Sequence, residues 1–246
     1  SPRVWPAEAV ERGTRDWIEH FIVKGRWCPF AGKSQVHVRV DDLEDTHARG
    51  LRSCFDRAQS HVEALGDIVY RASPKEHHSM FIVYPHAFLH EFGHGDAHDQ
   101  GRQPEGALSF LEFAARLCGE CDLTFGHPQV TTPFEQAVAG RPVVMHFTPG
   151  ERYPHLRSPF PMLQILPVET LMRARWQLGI DAHHQLIESH ARRLEDMTSQ
   201  DAENVEALLH KCRGGTKAKA AACPRTRPTG DEGAAYVQPS QCQSRR

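Results

Sequence analysis

Hydrophobic residues recur every three to four positions from about Ala7 to Gly25, with Val10, Trp17, Ile18, Phe21 and Ile22 on one face. That is the period of an amphipathic helix, and Gly25 supplies its stop. The pattern then switches to period two: Val36, Val38 and Val40 alternate with polar residues and predict a half-buried strand from Gln35 to Val40. Leu51, Phe55, Ala58, Val62 and Leu65 restore the helical period, ending at Gly66. Met80 to Tyr84 is a short apolar run closed by Pro85, the pattern of a buried strand. Gly106 to Cys118 carries a third helix, with Phe110, Leu111, Ala114, Leu117 and Cys118 on a broad apolar face. Val143 to Phe147 predicts a third strand, and Val168 to Leu178 a fourth helix with Gly179 just past its end.

The order α-β-α-β-α-β-α predicts an α/β fold, a small three- to four-stranded sheet with flanking helices. Thr124 to Gly140, broken by Gly126, Pro128 and Pro133, has room for a short fourth strand. These elements assign residues 1–179 to one α/β domain. Two further helices, Asp181 to Leu194 and Ser199 to Cys212, with N-caps expected at Asp181 and Ser199, form a helical extension over residues 180–212. Residues 213–246 lack apolar periodicity and are expected to be a disordered basic tail.

Charge changes this picture at one place. The chain carries a net −2, yet its last 34 residues hold seven Lys/Arg against two Asp/Glu, leaving −7 on the rest. A solvated tail explains this better than specific nucleic-acid binding, since no basic face is interleaved with aromatics. No apolar run approaches the roughly 18 residues of a membrane span. Seven cysteines, odd in number and spread widely, suit a reducing intracellular compartment rather than a disulfide framework.

Two tracts fit no regular element. In Arg157-Ser158-Pro159-Phe160-Pro161-Met162-Leu163, two prolines remove backbone donors and push their predecessors toward extended geometry, with a guanidinium at the mouth. Such a cation suits a carboxylate or phosphate, or clamps neighbouring carbonyls. Trp27-Cys28-Pro29-Phe30-Ala31-Gly32 follows the first helix, and Cys28 is either packed or a nucleophile activated by a base the fold supplies. His146, in the third predicted strand, faces either the core or a cleft beside Thr148.

His90-Glu91-Phe92-Gly93-His94 matches H-E-x-x-H, in which two histidines one helical turn apart hold zinc and the glutamate polarises its water. Gly93 and Gly95 flank the second histidine and oppose the long helix that such a site needs. Cys118-Gly119-Glu120-Cys121 lies at a helix C-terminus, where the dipole disfavours a thiolate, and Cys118 is in phase with the core positions.

Thr14-Arg15-Asp16-Trp17-Ile18, Cys28-Pro29-Phe30-Ala31, Phe81-Ile82-Val83-Tyr84-Pro85-His86 and Arg157-Ser158-Pro159-Phe160-Pro161-Met162-Leu163 resemble, in order and spacing, the family known as domain of unknown function 1415. The resemblance covers about residues 9–178 and implies a fold and candidate positions, with no reaction attached. Against the family pattern, Thr148 stands where a histidine is usual, Leu156 where an asparagine is usual, and Pro167-Val168 where charged residues follow the proline tract. The histidine-rich loop around His90 and His94 is also foreign to the family.

The leading expectation is a small-molecule or anion-binding domain with a pocket joining Cys28, Arg157 and His146, where Arg157, Ser158 and Thr148 bind a small anionic ligand. Whether it is an enzyme is left open, as is its oligomeric state. No cofactor is predicted. The alternatives are a zinc-dependent hydrolase using His90, Glu91 and His94, and a non-catalytic interaction module.

Overall fold

A computed structural model of the chain describes residues 5–28, 30–43, 51–73, 75–92, 107–125, 141–150 and 157–214. The described residues up to Gly214 form one compact unit; of the tail expected over 213–246, Arg213 and Gly214 belong to it, and residues 215–246 lie outside the described residues. The fold is α/β. Its helices are α1 (Ala7–Trp17), α2 (Arg52–Arg71), α3 (Leu89–Phe92), α4 (Phe110–Glu120), α5 (Val168–Leu178), α6 (Ile180–Glu195) and α7 (Ser199–Cys212). Its strands are β1 (Ser34–Val40), β2 (His77–Val83), β3 (Thr124–Phe125), β4 (Val143–Phe147) and β5 (Met162–Leu166), ordered β1-β2-β5-β4-β3.

β1 runs parallel to β2 and β3 parallel to β4, while β5 lies antiparallel between β2 and β4. Four strands therefore point one way, which gives the sheet a definite carboxyl end. β2 is buried along its whole length because helices cover both of its faces. Met80 and Ile82 pack with α2 and α4, while Phe81 and Val83 turn to α1 and α7, where Trp17 meets Phe21, Phe81 and Phe147.

Most boundaries follow the hydrophobic periods, and four departures have physical reasons. β5 lies beyond the expected three to four strands: Pro161 sits just before it, where a missing donor costs the ladder nothing, and Met162, Leu163 and Ile165 are then buried. α2 passes through Gly66, an open surface position, and stops only at Arg71. The N-caps are Gly179 and Thr198 rather than Asp181 and Ser199, with Thr198 and Asp201 forming a capping box. Finally, α7 packs on α1 through Val205, Leu209 and Cys212, so the helices expected as an extension belong to the same compact unit.

The first helix also changes character midway. It is α-helical to Trp17 and π-helical over Ile18–Val23, with Lys24 N–H donating to the Glu19 carbonyl and Trp27 N–H to the Ile22 carbonyl, both at 3.0 Å. Gly25 follows because a Cβ there would overlap the Phe21 carbonyl oxygen. Arg26 then takes a positive φ of 55°, a conformation costly for a residue with a side chain.

Candidate functional site

The two odd tracts end up at opposite ends of the sheet. Phe30 packs on the cluster of Val143, Leu171 and Ala174 and accepts the Ser34 hydroxyl through its carbonyl at 2.7 Å, which places Cys28 at the amino end. Arg157 pairs across to Thr148, just beyond the last residue of β4, at the carboxyl end. Five strand residues at about 3.3 Å each put roughly 16 Å between these ends. The pocket expected to join Cys28, Arg157 and His146 is therefore not formed.

The Arg157 tract is consumed by the fold. Ser158 is fully buried, donates its hydroxyl to the Phe160 carbonyl at 2.6 Å, and donates its amide to the Thr148 carbonyl. Pro161 turns its carbonyl to the Tyr84 amide at 2.9 Å. Arg157 forms an ion pair with Glu206 on α7, and Arg213 reaches the Pro159 carbonyl at 2.6 Å. Thr148 and His146 are buried. These bonds seat the strand entry on α7, the clamping role open to such an arginine.

Thiol chemistry finds no support in the surroundings. Burial raises the Cys28 pKa above its ordinary value, against opposing backbone hydrogen bonds from Phe30 and Ala31. Cys54 is pushed up to about 12 by burial and by the Asp41 carboxylate, and Cys118 to about 12 by burial and its neighbour Cys121. Nucleophilic or redox cysteines need the opposite, an electropositive and partly open setting. Cys118 packs in the core as its phase implies.

Glu91 accepts the backbone N–H of Phe110 at 2.8 Å, so its carboxylate serves the start of α4. The element carrying His90 and Glu91 is a four-residue turn, and His94 lies outside the described residues. Among the described residues no group of three or more potential metal ligands forms. Nor, among them, is any helix long and apolar enough to cross a membrane.

The sequence reading missed two constellations. At the carboxyl end, Asp41 is buried and takes a two-point ion pair from Arg57, at 2.6 and 3.3 Å, with the Cys54 thiol 3.6 Å away. Tyr84 is fully buried beside Cys54. The signal was an Asp at the end of an alternating strand, but nothing local tied it to α2.

The second constellation is a cleft of about 410 Å³ where the π-helical segment meets the α6–α7 corner. His20, Phe21, Gly25 and Trp27 line one side. Arg193, Asp196 and Met197 come from the end of α6 and the turn after it, and Asp201, Asn204, Val205 and Leu208 from α7. The Arg193 guanidinium lies 4.1 Å from the Trp27 ring centre and donates to the Gly25 carbonyl. His190 packs on the same indole, and burial, followed by the charge of Arg193, lowers its pKa against a backbone hydrogen bond at Arg26. Trp27 belongs to the second odd tract, and Arg193 is 166 residues further along the chain.

Comparison with family models, with curated proteins and with solved structures finds no match to this chain.

Proposed function

We propose that this chain is a small-molecule-binding domain and that the cleft lined by Trp27 is its site. One observation carries the reading: the main chain beside the cleft is unusual at three successive points. A π-helical segment, a glycine forced by close approach and a residue at positive φ together present Phe21 and Trp27 to the cleft. π-Helical turns are rare and recur at functional sites, and a positive φ in a residue with a side chain costs roughly 1–3 kcal/mol. The volume falls within the about 300–1,000 Å³ typical of ligand sites, and its walls mix aromatic, aliphatic and a few polar groups.

The raised pKa of Cys28 supports binding over thiol catalysis, and the pairing of Arg157 with Glu206 supports a clamp over an anion site at that residue. Membership in the domain of unknown function 1415 family is likewise our proposal. It rests on the Cys-Pro-Phe-Ala and Arg-Ser-Pro-Phe-Pro-Met-Leu tracts and brings no reaction with it.

The test uses protein labelled with fluorotryptophan, which has four tryptophans. A Trp27→Phe variant identifies the Trp27 resonance, and a metabolite library is screened against the labelled protein. Hits that move that resonance are the expected result. A library with no hits, or hits that leave it in place, contradicts the assignment.

A further inference from the structure

Resting on that reading of the cleft, we propose that its ligand is a zwitterion with an apolar body, an α-amino acid carrying a large hydrophobic side chain. The polar groups of the lining include both acceptors and donors. His20 Nδ1 donates to the Asp16 carbonyl at 2.9 Å, which leaves Nε2 as the ring nitrogen for a ligand. Asp196 and Asp201 add carboxylates, of which Asp201 spends one oxygen on the Thr198 amide and hydroxyl at 2.9 and 2.7 Å. These acceptors suit an ammonium, which has donors only.

Donors lie beside these acceptors, Arg193 three residues from Asp196 and Asn204 three from Asp201, as an ammonium and a carboxylate on one carbon require. Asn204 accepts from Gln200 through Oδ1, which leaves its amide nitrogen to donate. Arg193 gives the Gly25 carbonyl only part of a five-donor fork, the geometry that matches a carboxylate. Phe21, Trp27, Met197, Val205 and Leu208 supply the apolar part of the lining, for the side chain. Two carboxylates against one guanidinium disfavour a phosphate or a dicarboxylate. A lone organic cation would leave Arg193 unused, and a monocarboxylate would leave Asp196 and Asp201 unused.

Calorimetric titration with three probes decides this: L-phenylalanine, phenethylamine (no carboxylate) and 3-phenylpropanoate (no ammonium). Phenylalanine is expected to bind at least tenfold more tightly than either analogue. Arg193→Gln should weaken phenylalanine at least tenfold while leaving phenethylamine within twofold, and Asp196→Asn should weaken both. Both side chains are exposed, so the variants should fold, and circular dichroism confirms it. Either analogue binding as tightly as phenylalanine overturns the zwitterion. So does failure of all three probes while other library compounds still move the Trp27 resonance, an outcome that leaves the cleft as a binding site. If no compound of any kind moves that resonance, the site reading itself fails.

Discussion

The Arg157–Leu163 and Trp27–Gly32 tracts look equally odd as sequence, and the fold uses them in opposite ways. In the first, each unusual group is satisfied internally: Ser158 by Phe160 and Thr148, Pro161 by Tyr84, Arg157 by Glu206. The prolines end where β5 begins, and β5 completes the centre of the sheet. In the second, the irregular main chain before Trp27 serves no ladder and instead borders a cleft. Oddness of composition marks a constraint. Whether the constraint is structural or functional depends on where the polar groups spend their hydrogen bonds.

The comparison is broken most forcefully in the core. Leu163 is fully buried between Ile82 on β2 and His146 on β4. Leu163→Ala should cost about 3 kcal/mol, and for a domain of this size that lowers Tm by roughly 6–12 °C. Thermal unfolding by circular dichroism checks it. A loss below 1 kcal/mol would mean that the proline tract does not end in a core strand.

Alkali should act next, on the core behind that tract. Cys54 and Cys118 have native pKa values of about 12, raised from 9.0. Below pH 9 both folded and unfolded chains keep these protons, and stability is intact. As pH climbs from 9 toward 12 the unfolded chain ionises first, so stability falls. At pH 10 each thiol should account for about 1.4 kcal/mol. Denaturant titrations at pH 8 and pH 10 measure the difference, and Cys54→Ala should remove its share. An unchanged slope in that variant would show that Cys54 is not the group responsible.

Ser158→Ala strands the buried Phe160 carbonyl and should cost about 1 kcal/mol while leaving ligand binding at the Trp27 cleft unchanged. A stability loss with intact binding sharpens the comparison; lost binding in a folded variant would reverse it.

The smallest effect belongs to the cleft side and runs with acid. His190 titrates below its ordinary value of 6.5 because it is buried against Trp27 and near Arg193. Above pH 6.5 both states are neutral and this contribution is complete. As pH drops through 6.5 toward the lower native value, the unfolded chain takes up a proton that the folded site resists, and stability declines. His190→Gln should flatten the Tm profile between pH 7 and 5, and a profile identical to that of the parent protein would contradict the assignment.

The legible parts of the fold were those with an uninterrupted period. Val143 to Phe147 and Val168 to Leu178 appear at their expected limits because each is a continuous apolar run or a single amphipathic face with a clear stop. β5 was hidden because two prolines masked the strand that follows them. The π-helical turn was invisible because its apolar spacing still passes for a helix. The packing of α7 onto α1 could not be read at all, since an amphipathic helix carries no address for its partner.

The candidate site was legible only as two suspicious tracts. Pairing Cys28 with Arg157 assumed that unusual residues share a pocket, and the sheet holds them at opposite ends. The residues that share the cleft with Trp27, among them Arg193, Asp196 and Asp201, sit at exposed positions of ordinary composition. Only the turn between α6 and α7 brings them to one cleft.

The most direct test of the central claim is the dissociation constant of one cleft ligand, L-phenylalanine or the best library compound, for Arg193→Gln and Arg157→Gln side by side. The account predicts that Arg193→Gln weakens binding tenfold or more, while Arg157→Gln stays within twofold of the parent protein. Binding lost in a folded Arg157→Gln variant and retained in Arg193→Gln would contradict it.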